Sequence, residues 1–182
     1  QSYRHASRPL SSQLLLNFYA EAQPKESKSP VALLGTPGIV TAISLGDGPV
    51  RGLHVMNDIL FGVSGGFLYQ INADHSVVNL GGQISDTAGP VSMDDNATEL
   101  VIVNGVNGYI WSQIAGFRLI SDPDFHAAES VTVMDGFFLF EWKGTGKFFR
   151  SDLLDGTSYD STAFTTAESK SDTLLAVRNQ TQ

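Results

Sequence analysis

The spacing of apolar and polar positions changes near residue 49. Ahead of it, Ser11-Ser12-Gln13-Leu14-Leu15-Leu16-Asn17-Phe18-Tyr19 is one short apolar run after Pro9. Its pattern fits a strand or a short helix equally well. Gln23-Pro24-Lys25-Glu26-Ser27-Lys28-Ser29-Pro30 is polar and bracketed by prolines, the signature of an exposed loop. Val31-Ala32-Leu33-Leu34 then predicts a brief strand. Gly35-Thr36-Pro37-Gly38 ends it in a turn, because glycine admits positive φ and proline fixes φ.

Beyond residue 49 the pattern repeats. Gly48-Pro49-Val50 returns as Gly89-Pro90-Val91, 41 residues later, and Val131 follows after another 40. Ala128-Glu129-Ser130 returns as Ala167-Glu168-Ser169, 39 residues on. Behind each anchor comes an apolar strand: Ile59–Val63, Leu100–Val103, Phe137–Phe140 and, at the end, Leu174–Val177. In the first three units a glycine-bearing turn and an aromatic-led strand follow: Phe67-Leu68-Tyr69, Tyr109-Ile110-Trp111 and Phe148-Phe149. Short strands joined by Gly/Asn turns are hairpins. A period near 40 with three or four strands per unit predicts β-propeller blades, whose sheets bury both faces and so lose clean alternation. A β-sandwich with accidental spacing is the competing architecture.

The expectation is therefore an all-β chain of propeller-like blades. Residues 1–49 form an N-terminal extended segment with the first strands, and residues 50–182 hold the blade repeats. Three full repeats of about 40 residues span approximately 50–90, 91–130 and 131–168, with a partial fourth over 169–182. With Gln1 in place of an initiator Met, the chain reads as a fragment of a larger propeller.

Composition narrows the function classes. Hydrophobic residues make up 42% of 182 positions and charged residues 16%, which suits a packed core and excludes global disorder. No apolar run approaches the roughly 18 residues of a membrane-spanning helix, so no membrane partner is expected. There is no cysteine, hence no disulfide, thiolate metal site or Cys nucleophile. Of the net charge of −8, residues 1–49 contribute +1 and the remainder −9. A body so acidic repels phosphate, and sequence-specific nucleic-acid binding is not expected, although DNA could pass it loosely.

Candidate chemistry is sparse. His5, His54, His75 and His126 lack metal-ligand spacing, and no metal or cofactor is expected. Asp94-Asp95-Asn96 and Asp122-Pro123-Asp124 read as turns, because a calcium loop would need alternating ligands closed by a glycine and a distant Glu. Gly144-Thr145-Gly146-Lys147 lacks the rest of a phosphate loop and reads as a hairpin turn. Ser151-Asp152-Leu153-Leu154-Asp155-Gly156-Thr157-Ser158-Tyr159 loosely echoes the aspartate box of sialidase propellers, but Asp155 and Gly156 are adjacent and the repeat region lacks clustered arginines. No enzyme is expected.

Two stretches carry a resemblance. The first is Asn17-Phe18-Tyr19-Ala20-Glu21 with Leu34-Gly35-Thr36-Pro37-Gly38. The second is Gly144-Thr145-Gly146-Lys147-Phe148, then Ser151-Asp152, Asp155-Gly156-Thr157-Ser158-Tyr159-Asp160 and Phe164-Thr165-Thr166-Ala167-Glu168-Ser169. Together they resemble the packaged-DNA stabilisation proteins of short-tailed bacteriophages, with Tyr159 where that family commonly has Trp. The resemblance implies a β-propeller tail hub assembled as a homo-oligomeric ring below the portal and its adaptor. Such a hub plugs the exit channel after packaging and seats the tail needle and tailspikes, in a virion assembled in the bacterial cytoplasm. It implies no catalytic residue and no cofactor. A receptor- or glycan-binding phage-tail propeller is the alternative, using Tyr109, Trp111 and Trp142, although Tyr109 and Trp111 are expected to fill blade-to-blade core. A glycan-cleaving propeller is the third class.

Overall fold

A computed structural model of the chain describes residues 17–85, 89–167 and 172–179. Every regular element among them is a β-strand. The chain divides into two compact units, residues 1–42 and 43–182.

In the first unit, β1 (Phe18–Ala22) and β2 (Val31–Gly35) pair antiparallel, Phe18 opposite Gly35. Asn17 sits in the left-handed region at φ 58°, and its carbonyl accepts from the Thr36 amide and hydroxyl, closing the open end of the hairpin. The strand-or-helix question is settled as strand from Phe18 onward. Residues 11–16 of that run lie outside the described residues.

The second unit contains three four-stranded antiparallel sheets, each a meander in chain order. The first holds β3 (Val50–Met56), β4 (Ile59–Ser64), β5 (Phe67–Ile71) and β6 (Val77–Gly82). The second holds β7 (Ser92–Asp95), β8 (Glu99–Val103), β9 (Gly108–Ser112) and β10 (Gly116–Leu119). The third holds β11 (Val131–Met134), β12 (Phe137–Glu141), β13 (Lys147–Asp152) and β14 (Asp155–Thr166). Two-residue turns with both positions left-handed match the twist of their strands. Asn57-Asp58 (φ 51° and 62°) joins β3 to β4 and Asp135-Gly136 (φ 52° and 83°) joins β11 to β12.

The apolar runs are continuous because their sheets are buried on both faces. On β8, Leu100 and Ile102 point into a core with Met56, Phe61, Val63 and Leu68 of the first sheet. Val101 and Val103 point the other way, into a core with Val131, Phe138, Phe140, Phe149 and Tyr159 of the third. Period 2 is present in the backbone but invisible in the hydropathy. Burying each such side chain stabilises by about 1.5–3 kcal/mol, which makes these two interfaces the main cohesive force between sheets.

The turn reading of Asp122-Pro123-Asp124 holds, with the Asp122 carboxylate accepting the Asp124 amide. At Asp94-Asp95-Asn96 it holds for Asp95 and Asn96, whose side-chain oxygens accept the amides of the turn that follows, although Asp94 and Asp95 themselves close β7. Polar β7 gave no hydropathy signal: Ser92 and Asp94 hold the next blade's amides, and Met93 packs against the core shared with the first sheet.

Residues 43–49, grouped by sequence with the N-terminal segment, fall in the second unit. Leu45 is buried against Tyr69 and Ile71 on the first sheet's other face. Gly48 passes so close to Gly65 that a Cβ would lie 2.5 Å from its Cα, so glycine is required there.

The last described segment sits one strand from its expected place. Sequence aligned Leu174–Val177 with the second strands β4, β8 and β12. The hydrogen bonds place the segment one strand earlier. Successive first strands are tied side by side: the Val91 amide donates to the Arg51 carbonyl (3.2 Å), Val131 to Ser92 Oγ (3.2 Å) and Val133 to Asp94 Oδ2 (2.8 Å). In the same manner the Val177 amide donates to Ser130 Oγ (3.0 Å) and that of Asn179 to Thr132 Oγ1 (3.2 Å). Val177–Asn179 therefore occupies the first-strand place of a fourth blade, without strand pairing of its own. Hydropathy cannot tell one strand of a sheet from another, whereas the hydroxyls of Ser130 and Thr132 can.

Candidate functional site

The second sequence motif is a hairpin built into the core. Ser151 is buried; its hydroxyl accepts the Phe138 amide (3.1 Å) and donates to the Asp152 carbonyl (2.8 Å). Leu153 and Leu154 turn the chain from β13 to β14. The Asp155 carboxylate accepts the amide and hydroxyl of Thr157, rigidifying the turn's exit. The Gly156 amide donates to Glu99 Oε2 of the neighbouring sheet (2.8 Å). A Cβ there would lie 2.8 Å from Ile110 Cδ1 and 3.1 Å from both Phe138 and Val101, so only glycine lets the sheets approach. Tyr159 is buried among Phe125, Phe140 and Phe149, donates its hydroxyl proton to the Gly156 carbonyl (2.9 Å), and has its amide on Asp122 Oδ2 (3.2 Å). Burial, with Asp122, Glu99 and Asp155 nearby, pushes its phenol far above the usual tyrosine range.

The outer half of the motif is exposed. Asp160 accepts the Thr162 amide and hydroxyl, which hold its carboxyl below the usual value. It lies where β14 bulges: Phe149 faces Phe164, but Ser151 already faces Tyr159. Phe164 meets Trp142 edge-on at 5.9 Å, with the Lys147 ammonium 4.5 Å from its ring. The Ala167 amide closes onto the Gly146 carbonyl. Glu168 lies outside the described residues.

The first motif stays in the N-terminal unit. Asn17 and Thr36 close its hairpin, Tyr19 faces Leu34, Glu21 faces Ala32, and Gly35 ends β2. Pro37 and Gly38 follow in exposed irregular chain. Tyr19 and Glu21 are exposed, as are Phe18, Leu33 and Leu34.

A cluster that sequence reasoning missed lies on the first strands. His54 Nε2 is 2.6 Å from Asp95 Oδ2, and Asp94 joins them with ligand-type atoms within 4.8 Å of one another. The partners are 41 positions apart, one blade repeat, so a search for local ligand spacing passes over them; aligning the repeats would have found them. Their geometry is that of a latch between blades. Asp94 accepts the amides of Asp95 and Val133, and Asp95 that of Ala97. Glu141 acts similarly: buried, it accepts the Glu129 (2.6 Å) and Ser130 (2.7 Å) amides where the chain enters β11. Burial raises its carboxyl above the usual range, against the pull of these two amides.

Two cavities lie in the second unit. One, of about 660 Å³, runs past the first strands and is lined by Leu53, Ser92, Met93, Ser130 and Arg178 among others. Its one lining carboxylate, Glu129, is paired with Lys143 at 2.7 Å on the rim. The other, of about 510 Å³, lies among turns and is mainly apolar. In the first, the Ser130 hydroxyl is engaged with Val177 and the Ser92 hydroxyl accepts the Val131 amide. Tyr109 and Trp111, candidates for glycan stacking, are buried between the first and second sheets. Trp142 is half-buried and stacked on His126 at 3.6 Å.

The profile of a phage stabilisation family described as bacteriophage P22 Gp10, beta-propeller, matches residues 3–182. The chain belongs to this family. It is thus a bacteriophage structural protein and a component of the virion, and the propeller description agrees with the three sheets. No curated protein matches the chain. Among solved structures, the N-terminal domain of Nup159 is similar at 13% identity and a TM-score of 0.44, over 66% of this chain. The chain spans 35% of the length of that structure.

Proposed function

We propose that the protein is a tail hub: it closes the portal channel after packaging, retains the DNA and seats the rest of the tail. The observation that carries this reading is the family match over residues 3–182, which includes both motifs. The motif chemistry supports it. Gly156 and Tyr159 tie the third blade to the second through Glu99 and Asp122, and Ser151 ties β13 to β12 within the third, as a stiff fitting needs. Closure below the portal calls for a ring of copies, contacts with portal or adaptor above, and contacts with needle and tailspikes below. The net charge of −8 suits a channel component past which DNA slides without adhering.

The test uses DNA-filled heads assembled without the protein. Adding the purified chain should raise the fraction of genome protected from nuclease and yield particles that accept tail proteins. Heads that bind the chain yet leak DNA at the original rate would rule out closure.

A further inference from the structure

In an antiparallel meander the turns joining first to second and third to fourth strands share one end of the sheet. In the second unit these turns are residues 57–58, 72–76, 96–98, 113–115, 135–136 and 153–154. Asp58, Asp74, Asp95, Glu99, Asp135, Asp152 and Asp155 lie in them or at the strand ends beside them. No Lys or Arg lies in any of them. Of this unit's described basic side chains, Arg51, Lys143, Lys147 and Arg178 are at the opposite end. Arg118 is within β10, and Arg150 lies over the Phe137 ring.

Turn chemistry explains some of these carboxylates, since Asp tolerates left-handed backbone. It does not explain the apolar tips beside them. Ile114 is 100% exposed and Leu154 61%, and Leu153, Met134 and Ile59 are exposed too. Leu154 also holds φ 58°, a conformation costing an ordinary residue roughly 1–2 kcal/mol, where Asn or Gly would sit comfortably. Ile114 and Leu154 flank the cavity of about 510 Å³, whose floor includes Met56, Phe61 and Trp111 and whose wall includes Glu99.

We propose that this groove is a docking site for a partner protein through a basic amphipathic segment. Its apolar side chains enter between Ile114 and Leu154, and its Lys or Arg residues face the surrounding carboxylates. Charge selects the occupant: Glu99 in the groove wall and the carboxylates at the same strand ends outnumber the basic side chains near them, His54 on Asp95 and Arg150 over Phe137, so this end disfavours nucleic acid and acidic surfaces and steers a basic chain. The inference rests on the groove and its surroundings and holds whether or not the protein closes a portal.

The experiment titrates the full chain into a fluorescein-labelled amphipathic peptide with Leu and Phe on one face and Lys on the other, read by anisotropy. One control peptide carries Glu for Lys; a second carries Ser for Leu and Phe. The Lys–Leu peptide should bind at least about tenfold more tightly than either control and weaken with added salt. Ile114→Ser, at a fully exposed tip that folding does not need, should cost about tenfold in affinity. Asp58→Asn with Asp135→Asn should reduce the salt dependence. Equal binding of the Lys and Glu peptides, no binding of any peptide, or an unaffected Ile114→Ser would overturn the proposal. So would light scattering showing that the groove is filled by a second copy, with Ile114→Ser dissociating it.

Discussion

Gly156 and Tyr159 show how single residues fix the seam between blades. Gly156→Ala forces a methyl to within 2.8 Å of Ile110 Cδ1 in a filled core, and overpacking of this kind costs about 1–3 kcal/mol. Urea unfolding should show a lowered midpoint with an unchanged slope; an unchanged midpoint would mean that the seam relaxes freely. Tyr159 has a pH signature. Its folded pKa is raised above the usual value of 10.0, so the stability it contributes is complete below pH 10 and is lost as the unfolded phenol ionises above it. Tyr159→Phe leaves the Gly156 carbonyl without its donor and should cost about 1 kcal/mol at neutral pH. The same variant should flatten the decline in stability above pH 10. If both proteins lose stability equally between pH 9 and 11, Tyr159 is not the group responsible. Neither role could be read from the sequence. The motif marked Ser151 to Asp160 as unusual, but the neighbours that make Gly156 indispensable lie on β8, β9 and β12, which only folding brings together.

Elements were legible in proportion to their hydropathy. The second and third strands of each blade, apolar or aromatic-led, stood out, and so did the glycine turns between them. The first strands did not: β7 reads Ser-Met-Asp-Asp and works through side-chain oxygens that hold the next blade's amides. The misplacement of Leu174–Val177 has the same origin. Its true register depends on Ser130 and Thr132, so Ser130→Ala with Thr132→Val should release residues 172–179 while leaving the third sheet intact. Hydrogen exchange should then rise at the Val177 and Asn179 amides and stay unchanged in β12 and β13. Exchange rising throughout the sheet would instead make those hydroxyls part of the blade's own fold. At the β13–β14 turn, Leu154→Asn should stabilise the protein by about 0.5–1 kcal/mol in thermal unfolding, because Asn tolerates the left-handed backbone. A loss of stability would show that Leu154 is kept for its packing on Gly136, where its side chain already touches the opposite turn, and not for a partner.

At the scale of the whole molecule, charge decides what the protein touches. Net charge came directly from the sequence, but its placement did not, because the carboxylates of one end are scattered over residues 58–155 and gather only when three meanders align their turns. Replacing Asp58, Asp74 and Asp135 by Lys changes the charge by two units each, six in all, taking the chain from −8 to −2. Asp58 and Asp135 hold left-handed backbone and the Asp74 carboxylate accepts the Ser76 amide and hydroxyl, so each Lys should cost about 1 kcal/mol in thermal unfolding. Affinity for nucleic acid should move far more, because three acidic turns at this end of the blades become cationic where phosphate was repelled. In electrophoretic shift with short duplex DNA at low salt, the unaltered chain should leave the duplex free and the triple variant should retard it, with the retardation lost as salt rises. Heads closed with the variant should then release their genome more slowly on opening. Retardation without slower release would locate this end of the blades away from the DNA path, and binding of duplex by the unaltered chain would remove the premise that its acidity keeps DNA from adhering.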